Sequence, residues 1–276
     1  YAADFSPDGK MAASGGADGT LRLWDVASGQ ELRRWRPHRG TVWSVAYSPN
    51  GRILASAGEC FEPVCLWDAT TGNLLRQLEA VAGFSASRDL AFSRDGDKLA
   101  RGLDRHIHVW EVATGKVLHR LEGERDFAQT IAFSPDGQLL ASGGKDGTIR
   151  LWDLAAGTEV RRFAAPKAKK SDNIADMVQS LAFTPDGKAL AAATRQQSVF
   201  LCEVATGKEL RRYPGNQWGT TAVLFLSDGK TLVGTDYSGA VRQWDTASGK
   251  EIQRLTLPHR ISMGHVTITK LSQDGK

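Results

Sequence analysis

Asp146-Gly147-Thr148-Ile149-Arg150-Leu151-Trp152-Asp153 is the stretch whose reading decides the fold. Asp-Gly beside an apolar run is a strong hairpin signal, and here the run that follows closes on an aromatic-acid pair. That closing pair, or its remnant, recurs at Trp24-Asp25, Trp67-Asp68, Trp110-Glu111, Cys202-Glu203 and Trp244-Asp245. With Trp152 included, the successive intervals are 43, 43, 42, 50 and 42 residues. A second marker keeps the same beat. It is the turn Ser6-Pro7-Asp8-Gly9, varied as Ser48 to Gly51, Ser93 to Gly96, Ser134 to Gly137, Thr184 to Gly187, Leu226 to Gly229 and Ser272 to Gly275. Two markers locked in phase mean one supersecondary unit copied along the chain.

A period near 42 suits a four-stranded propeller blade and is too long for the shorter helical and leucine-rich repeats. The second copy reads as strands over 42–47, 53–57, 64–67 and 74–78, separated by turns rich in Gly, Pro and Asn. No stretch carries sustained apolar residues at helical spacing, so the fold class is all-β. Six full units fall near 1–36, 42–79, 88–122, 128–164, 178–213 and 221–256, and 266–276 starts a seventh. The expectation is a single domain over 1–276, cut at both ends, since Tyr1 is no initiator Met and Val266 to Leu271 is one strand of a blade.

The run from Asp146 to Asp153, with its Trp-Asp ending at fixed phase with the Ser-Pro-Asp-Gly turn, resembles the signature of WD40 repeats, and the resemblance covers nearly the whole chain. The Ala-Ser-Gly or Ala-Ala-Gly turns after Trp-Asp resemble those of bacterial-type WD40 arrays, often attached to kinase or regulatory domains. The resemblance implies a ring of commonly seven blades latched by an outer strand. Lacking that latch, the chain is expected to form an open or strained ring. It also implies a hydrogen-bonded tetrad of His, Ser, Asp and Trp in each blade. Carried over by position, this gives Ser14, Asp18 and Trp24; His38, Ser56 and Trp67, with no Asp; Asp104 and Trp110, with Ala100 for Ser; and Ser142, Asp146 and Trp152, with Glu124 for His. Unit five has Ala192, Gln196 and Cys202, and unit six has Gly234, Ser238 and Trp244. Blade stability is therefore expected to rest mainly on apolar packing, with Cys202 filling less volume than Trp.

Composition excludes little. The net charge is +4 and 41% of residues are hydrophobic. No apolar run approaches the roughly 20 residues needed to span a bilayer. The three cysteines, Cys60, Cys65 and Cys202, lack metal-ligand spacing and read as reduced and structural, which fits a cytoplasmic compartment. His106 and His108 share a strand face, but no third ligand is fixed nearby, and the other histidines, His38, His119, His259 and His265, are scattered. No nucleophile elbow, phosphate-binding loop or His-Glu-x-x-His occurs, so no catalytic residue, metal or cofactor is expected.

Arg33-Arg34-Trp35, Arg161-Arg162-Phe163 and Arg211-Arg212-Tyr213 recur in fourth strands. They read either as a basic belt for nucleic acid or as charge that keeps sheet edges from pairing; the second is preferred, because three blades of a ring point their rims in different directions. Irregularities cluster instead at the ends of blades where strands two and three turn and where blades are linked. There lie Glu59-Cys60-Phe61-Glu62-Pro63, Phe84 and the lysine-rich link Ala165 to Asp172. Loops on a rigid scaffold are where binding resides. The expected partner-binding residues are His38, Phe61, Glu62, Arg105, Lys145, Lys167, Lys169, Lys170, Arg195 and Tyr237. The expected function is a noncatalytic protein-protein interaction scaffold. A nucleic-acid-associated or regulatory platform joined to a kinase or other effector is the alternative, and no membrane or small-molecule substrate is expected.

Overall fold

The computed structural model describes residues 2–59, 62–79, 89–103, 105–124, 127–165, 177–195, 198–214 and 219–256. Among them are 24 strands and no helix. They form six four-stranded antiparallel sheets, each built from strands consecutive in the chain. The strands form two compact units, with β1 to β12 in one and β13 to β24 in the other.

The first unit holds three blades. Blade one is β1 (Ala2–Phe5), β2 (Met11–Gly15), β3 (Leu21–Asp25) and β4 (Glu31–Trp35). Blade two is β5 (Ser44–Tyr47), β6 (Ile53–Ala57), β7 (Cys65–Asp68) and β8 (Leu74–Gln77). Blade three is β9 (Leu90–Phe92), β10 (Lys98–Leu103), β11 (His106–Glu111) and β12 (Val117–Glu122). The second unit holds the other three. Blade four is β13 (Ala128–Phe133), β14 (Leu139–Gly144), β15 (Thr148–Asp153) and β16 (Thr158–Ala164). Blade five is β17 (Val178–Phe183), β18 (Ala189–Thr194), β19 (Ser198–Glu203) and β20 (Glu209–Pro214). Blade six is β21 (Thr220–Phe225), β22 (Thr231–Asp236), β23 (Ala240–Asp245) and β24 (Glu251–Thr256). The expected all-β, propeller-type blades are therefore present. The expected seventh-blade strand, and His259 and His265, lie outside the described residues.

Each repeat marker has a local physical cause. In Ser6 to Gly9, Ser6 Oγ donates to Asp8 Oδ1 at 2.6 Å, and the same oxygen accepts from Lys10 N at 3.1 Å. Gly9 takes φ 70°, which a side chain would strain. Hydroxyl-to-carboxylate contacts at Ser134 with Asp136 and Thr184 with Asp186 repeat this, so hydrogen bonding, the hydroxyl's first, holds these aspartates below their usual pKa.

The Trp-bearing face of each blade packs on its predecessor within the same unit. Trp110, Leu99 and Leu103 bury against Ala55, Ala57, Val64, Leu66 and Leu78; Trp244 and Leu232 bury against Ala191, Val199, Leu201 and Tyr213. In blade five the smaller Cys202 is compensated by Phe200, 1% exposed, two residues earlier on the same strand. Arginine staples join neighbouring blades. Arg33 donates to Thr71 O, Arg76 to Ala113 O at 2.8 Å and Arg211 to Ser248 O at 2.9 Å.

Every outer strand carries a register shift opposite the Trp position. The extra residue is always aliphatic and 42 to 59% exposed: Leu32, Leu75, Leu118, Val160, Leu210 and Ile252. A bulge bends an edge away from pairing. Arg34, Arg162 and Arg212 each pair with the glutamate three residues before, Glu31, Glu159 and Glu209, at 2.8 Å. These three arginines are thus already engaged, in line with charged, blunted edges.

Candidate functional site

The tetrad positions become polar rows across three strands. In blades one, two and four the Trp indole donates to the second-strand serine: Trp24 to Ser14 at 2.8 Å, Trp67 to Ser56 and Trp152 to Ser142, both at 2.9 Å. In blades one, four and six the residue two before Trp is an arginine held by acids. Arg22 reaches Asp18 at 3.1 Å and Glu31 at 3.7 Å. Arg242 reaches Glu251 at 3.2 Å and Asp236 at 4.0 Å. Asp236, two residues before Ser238, supplies the carboxylate expected at position 238, and it accepts from Ser238 and Ala240 N–H.

Arg150 is the most deeply set of these cations. Its side chain and that of Glu124 are both 0% exposed and directly bonded, with Asp146 at 3.6 Å and Glu159 at 3.5 Å. Glu124 also accepts from Ser142 Oγ. It therefore does for blade four what a histidine would, and brings a charge that only Arg150 makes tolerable. Burial raises the Glu124 pKa, against Ser142 and Arg150, which lower it.

In blade two the missing aspartate is replaced from farther along the chain. His38 Nε2 lies 3.0 Å from Ser56 Oγ and Nδ1 lies 3.0 Å from Glu62 Oε2. Glu62 Oε1 accepts from Arg39 N at 2.8 Å. His38 is 3% exposed, and its ring nitrogens face Ser56 and Glu62 within this network. A fixed aspartate position in the sequence does not point to Glu62, which takes that place from farther along the chain.

Blade three departs furthest. Leu99 pairs with Trp110, so the residue at the serine position is Arg101, not Ala100. An arginine has only donors, and among the described residues Trp110 Nε1 is buried without an acceptor. Arg101 instead reaches Gly58 O at 2.8 Å. Arg120 Nε donates to His108 Nε2 at 3.1 Å, which places the His108 proton on Nδ1. Burial first, then Arg120 and His106, push the His108 pKa down to about 4. His106 and His108 stack at 6.3 Å. Among the described residues no group of three or more His, Cys, Asp or Glu is placed to hold a metal.

Of the expected partner-binding residues, Arg105, Lys145, Arg195 and Tyr237 are exposed on turns between the second and third strands of blades three, four, five and six. Backbone bonds fix two of these tips: Lys145 N to Phe127 O at 3.2 Å and Arg195 N to Met177 O at 3.0 Å. Glu62 is 17% exposed in its side chain. Cys60, Phe61, Phe84, Asp104, Lys167, Lys169, Lys170 and Gln196 lie outside the described residues. Cys65 and Cys202 are free and buried, and burial raises their thiols to about 11 and about 12.

The family profile described as WD domain, G-beta repeat matches residues 1–25, 29–61 and 115–153. The WD repeat-containing protein SL1-17 of Schistosoma mansoni is 31% identical over 160 residues, covering 57% of this chain and 51% of that protein. The nuclear distribution protein PAC1-2 of Uncinocarpus reesii is 32% identical over 170 residues, 54% of this chain and 37% of its own. Protein FIZZY-RELATED 2 of Arabidopsis thaliana is 28% identical over 174 residues, 61% and 34% respectively. The chain thus spans about half the length of these curated relatives, or less.

Proposed function

Because this chain is a WD40-repeat protein, we propose that it is a noncatalytic scaffold that binds protein partners through the hairpin ends joining second and third strands. The observation that carries the reading is the contrast between the two ends of each row. On the outer strands Arg162 and Arg212 pair with Glu159 and Glu209, whereas Lys145, Arg195 and Tyr237 stand exposed on hairpin turns of blades four, five and six, the first two held by backbone bonds to Phe127 and Met177. Tyrosine and arginine in rigid settings suit interface anchors, and lysines contribute more to encounter. Within the first unit Glu62 and Arg105 belong to the same class of turns. The reduced, buried Cys65 and Cys202 suit a cytoplasm-like compartment. No described helix is long and apolar enough to cross a membrane.

Tyr237→Ala and Arg195→Ala are each expected to weaken the cognate complex by at least about 1 kcal/mol, measured by calorimetry, with the far-ultraviolet spectrum unchanged. Changing Lys167, Lys169 and Lys170 to Ala is expected mainly to slow association at low salt. Binding that survives these changes and disappears with Arg34→Ala and Arg162→Ala moves the site to the outer strands.

A further inference from the structure

Of the turns that join first and second strands in the six described blades, that of blade two carries Asn50 where the others carry Asp8, Asp95, Asp136, Asp186 and Asp228. The amide takes the carboxylate's bonds. Asn50 Oδ1 accepts from Ser48 Oγ at 2.8 Å and from Arg52 N at 3.0 Å, as Asp136 Oδ1 accepts from Ser134 Oγ and from Gln138 N. Ser48 Oγ accepts in turn from Ile53 N at 2.9 Å, and Gly51 N donates to Ser48 O at 2.8 Å. The turn thus asks for an oxygen at Oδ1, and an aspartate would supply it with a charge that strengthens both bonds.

Asn50 is also the one asparagine of the chain that precedes a glycine, since Asn73, Asn173 and Asn216 precede Leu74, Ile174 and Gln217. Without a side chain on the next residue, the following amide nitrogen reaches an asparagine Cγ most freely. Gly51 N, once deprotonated, attacks Asn50 Cγ, Nδ2 leaves as ammonia, and a five-membered imide remains. Water then opens the imide. Breaking the bond from Cγ to Gly51 N gives aspartate, and breaking the bond from the main-chain carbonyl carbon to Gly51 N gives isoaspartate, with the chain rerouted through Cγ. One water enters, one ammonia leaves, and a chain of net charge +4 gains one negative charge.

The closed turn opposes the first step. The Gly51 N–H is bound to Ser48 O, and the imide would take Oδ1 away from both of its donors. Neighbouring turns then discriminate between the products. A side-chain carbon on Gly51 would meet Pro7 Cδ at 3.3 Å, and one on Gly96 would meet Pro49 Cδ at 3.6 Å, so the turns of blades one, two and three stack at contact distance. Aspartate fits this stack unchanged. Isoaspartate adds a main-chain atom between Pro49 and Gly51 and forces one of them off its neighbour. We propose that Asn50 is a self-modification site gated by its own turn: the chain deamidates there when the turn opens, the aspartyl product recloses it in the form the other five blades share, and the isoaspartyl product holds it open.

The protein is aged at pH 8, folded or unfolded in urea, and the tryptic peptide 40–52 is followed by mass spectrometry, with isoaspartate counted by enzymatic methylation. The folded rate is expected to be at least about tenfold below the unfolded one, as for any reaction that waits on a local opening. Ser48→Ala, checked as folded by its far-ultraviolet spectrum, is expected to speed the folded reaction at least about fivefold and to leave the unfolded rate unchanged. Asn50→Asp is expected to melt no lower than the unsubstituted protein. The isoaspartyl form, separated by cation exchange, is expected to exchange its Gly51 and Ile53 amide hydrogens at least about tenfold faster than the aspartyl form. Equal folded and unfolded rates overturn the gate, as does a folded Ser48→Ala variant that ages no faster. Conversion of Asn73, Asn173 or Asn216 ahead of Asn50 overturns the site, and a lower melting temperature for Asn50→Asp overturns the reclosure.

Discussion

Replacing Arg150 with methionine is expected to cost about 3–5 kcal/mol of unfolding free energy, because it strands Glu124 with no counter-charge in the interior. Asp146 and Glu159, at 3.6 and 3.5 Å from the guanidinium, lose the same cation. Arg150 is one of the forces lowering a Glu124 pKa that burial raises. Removing it lets that pKa climb further, and a protonated Glu124 is tolerated. Relative to the unsubstituted protein at each pH, the variant is therefore expected to be more impaired at pH 8 than at pH 5. The Arg150→Met, Glu124→Gln double variant is expected to recover part of the loss, since an amide still accepts from Ser142. Urea titrations followed by tryptophan fluorescence check all three. A single-variant loss below about 1 kcal/mol would show that water reaches Glu124 and that the pair is not the buried support its geometry indicates.

Acidification from pH 7.5 to 5 is expected to lower stability by about 2 kcal/mol through His108 alone, out of about 3 kcal/mol when the whole interval is crossed. The sign follows from a folded-state pKa of about 4, below the ordinary value of 6.5. The contribution is complete above 6.5 and disappears as pH falls toward 4. His108→Phe, which copies the residue that blade five carries as Phe200, is expected to remove at least half of the acid loss. It also leaves Arg120 without its acceptor, so some cost at neutral pH is expected, small because Arg120 is exposed and can turn to water. An unchanged pH slope in that variant would place the acid sensitivity elsewhere.

Both effects arise from residues whose type was visible in the sequence and whose role was not. Arg150 lies inside the very stretch that announces the fold, where the sequence shows it only as part of the run that closes on Trp152-Asp153. Its importance depends on Glu124 arriving from the blade linkage and Glu159 from the outer strand, 26 positions before and nine after. Counting along the chain puts Ala100 at the serine position, but strand register puts Arg101 there. A one-residue error of that kind turns a side chain to the opposite face, which is the difference between a harmless alanine and a buried cation.

Period, strand order, turn chemistry and the phase of the Trp positions are local properties, set by which backbone angles Gly, Asn and Pro allow and by alternation in runs of about six residues. The chain alone determined these, down to the four strands of each blade. Which acid neutralises which buried base was decided only by tertiary structure, since Glu62 and Asp236 reach the expected carboxylate places from shifted positions and Glu124 takes the place of a histidine. A hydrogen-bonding site in the interior specifies charge, reach and geometry, and several sequence positions can meet those demands once packing has brought them to the same point.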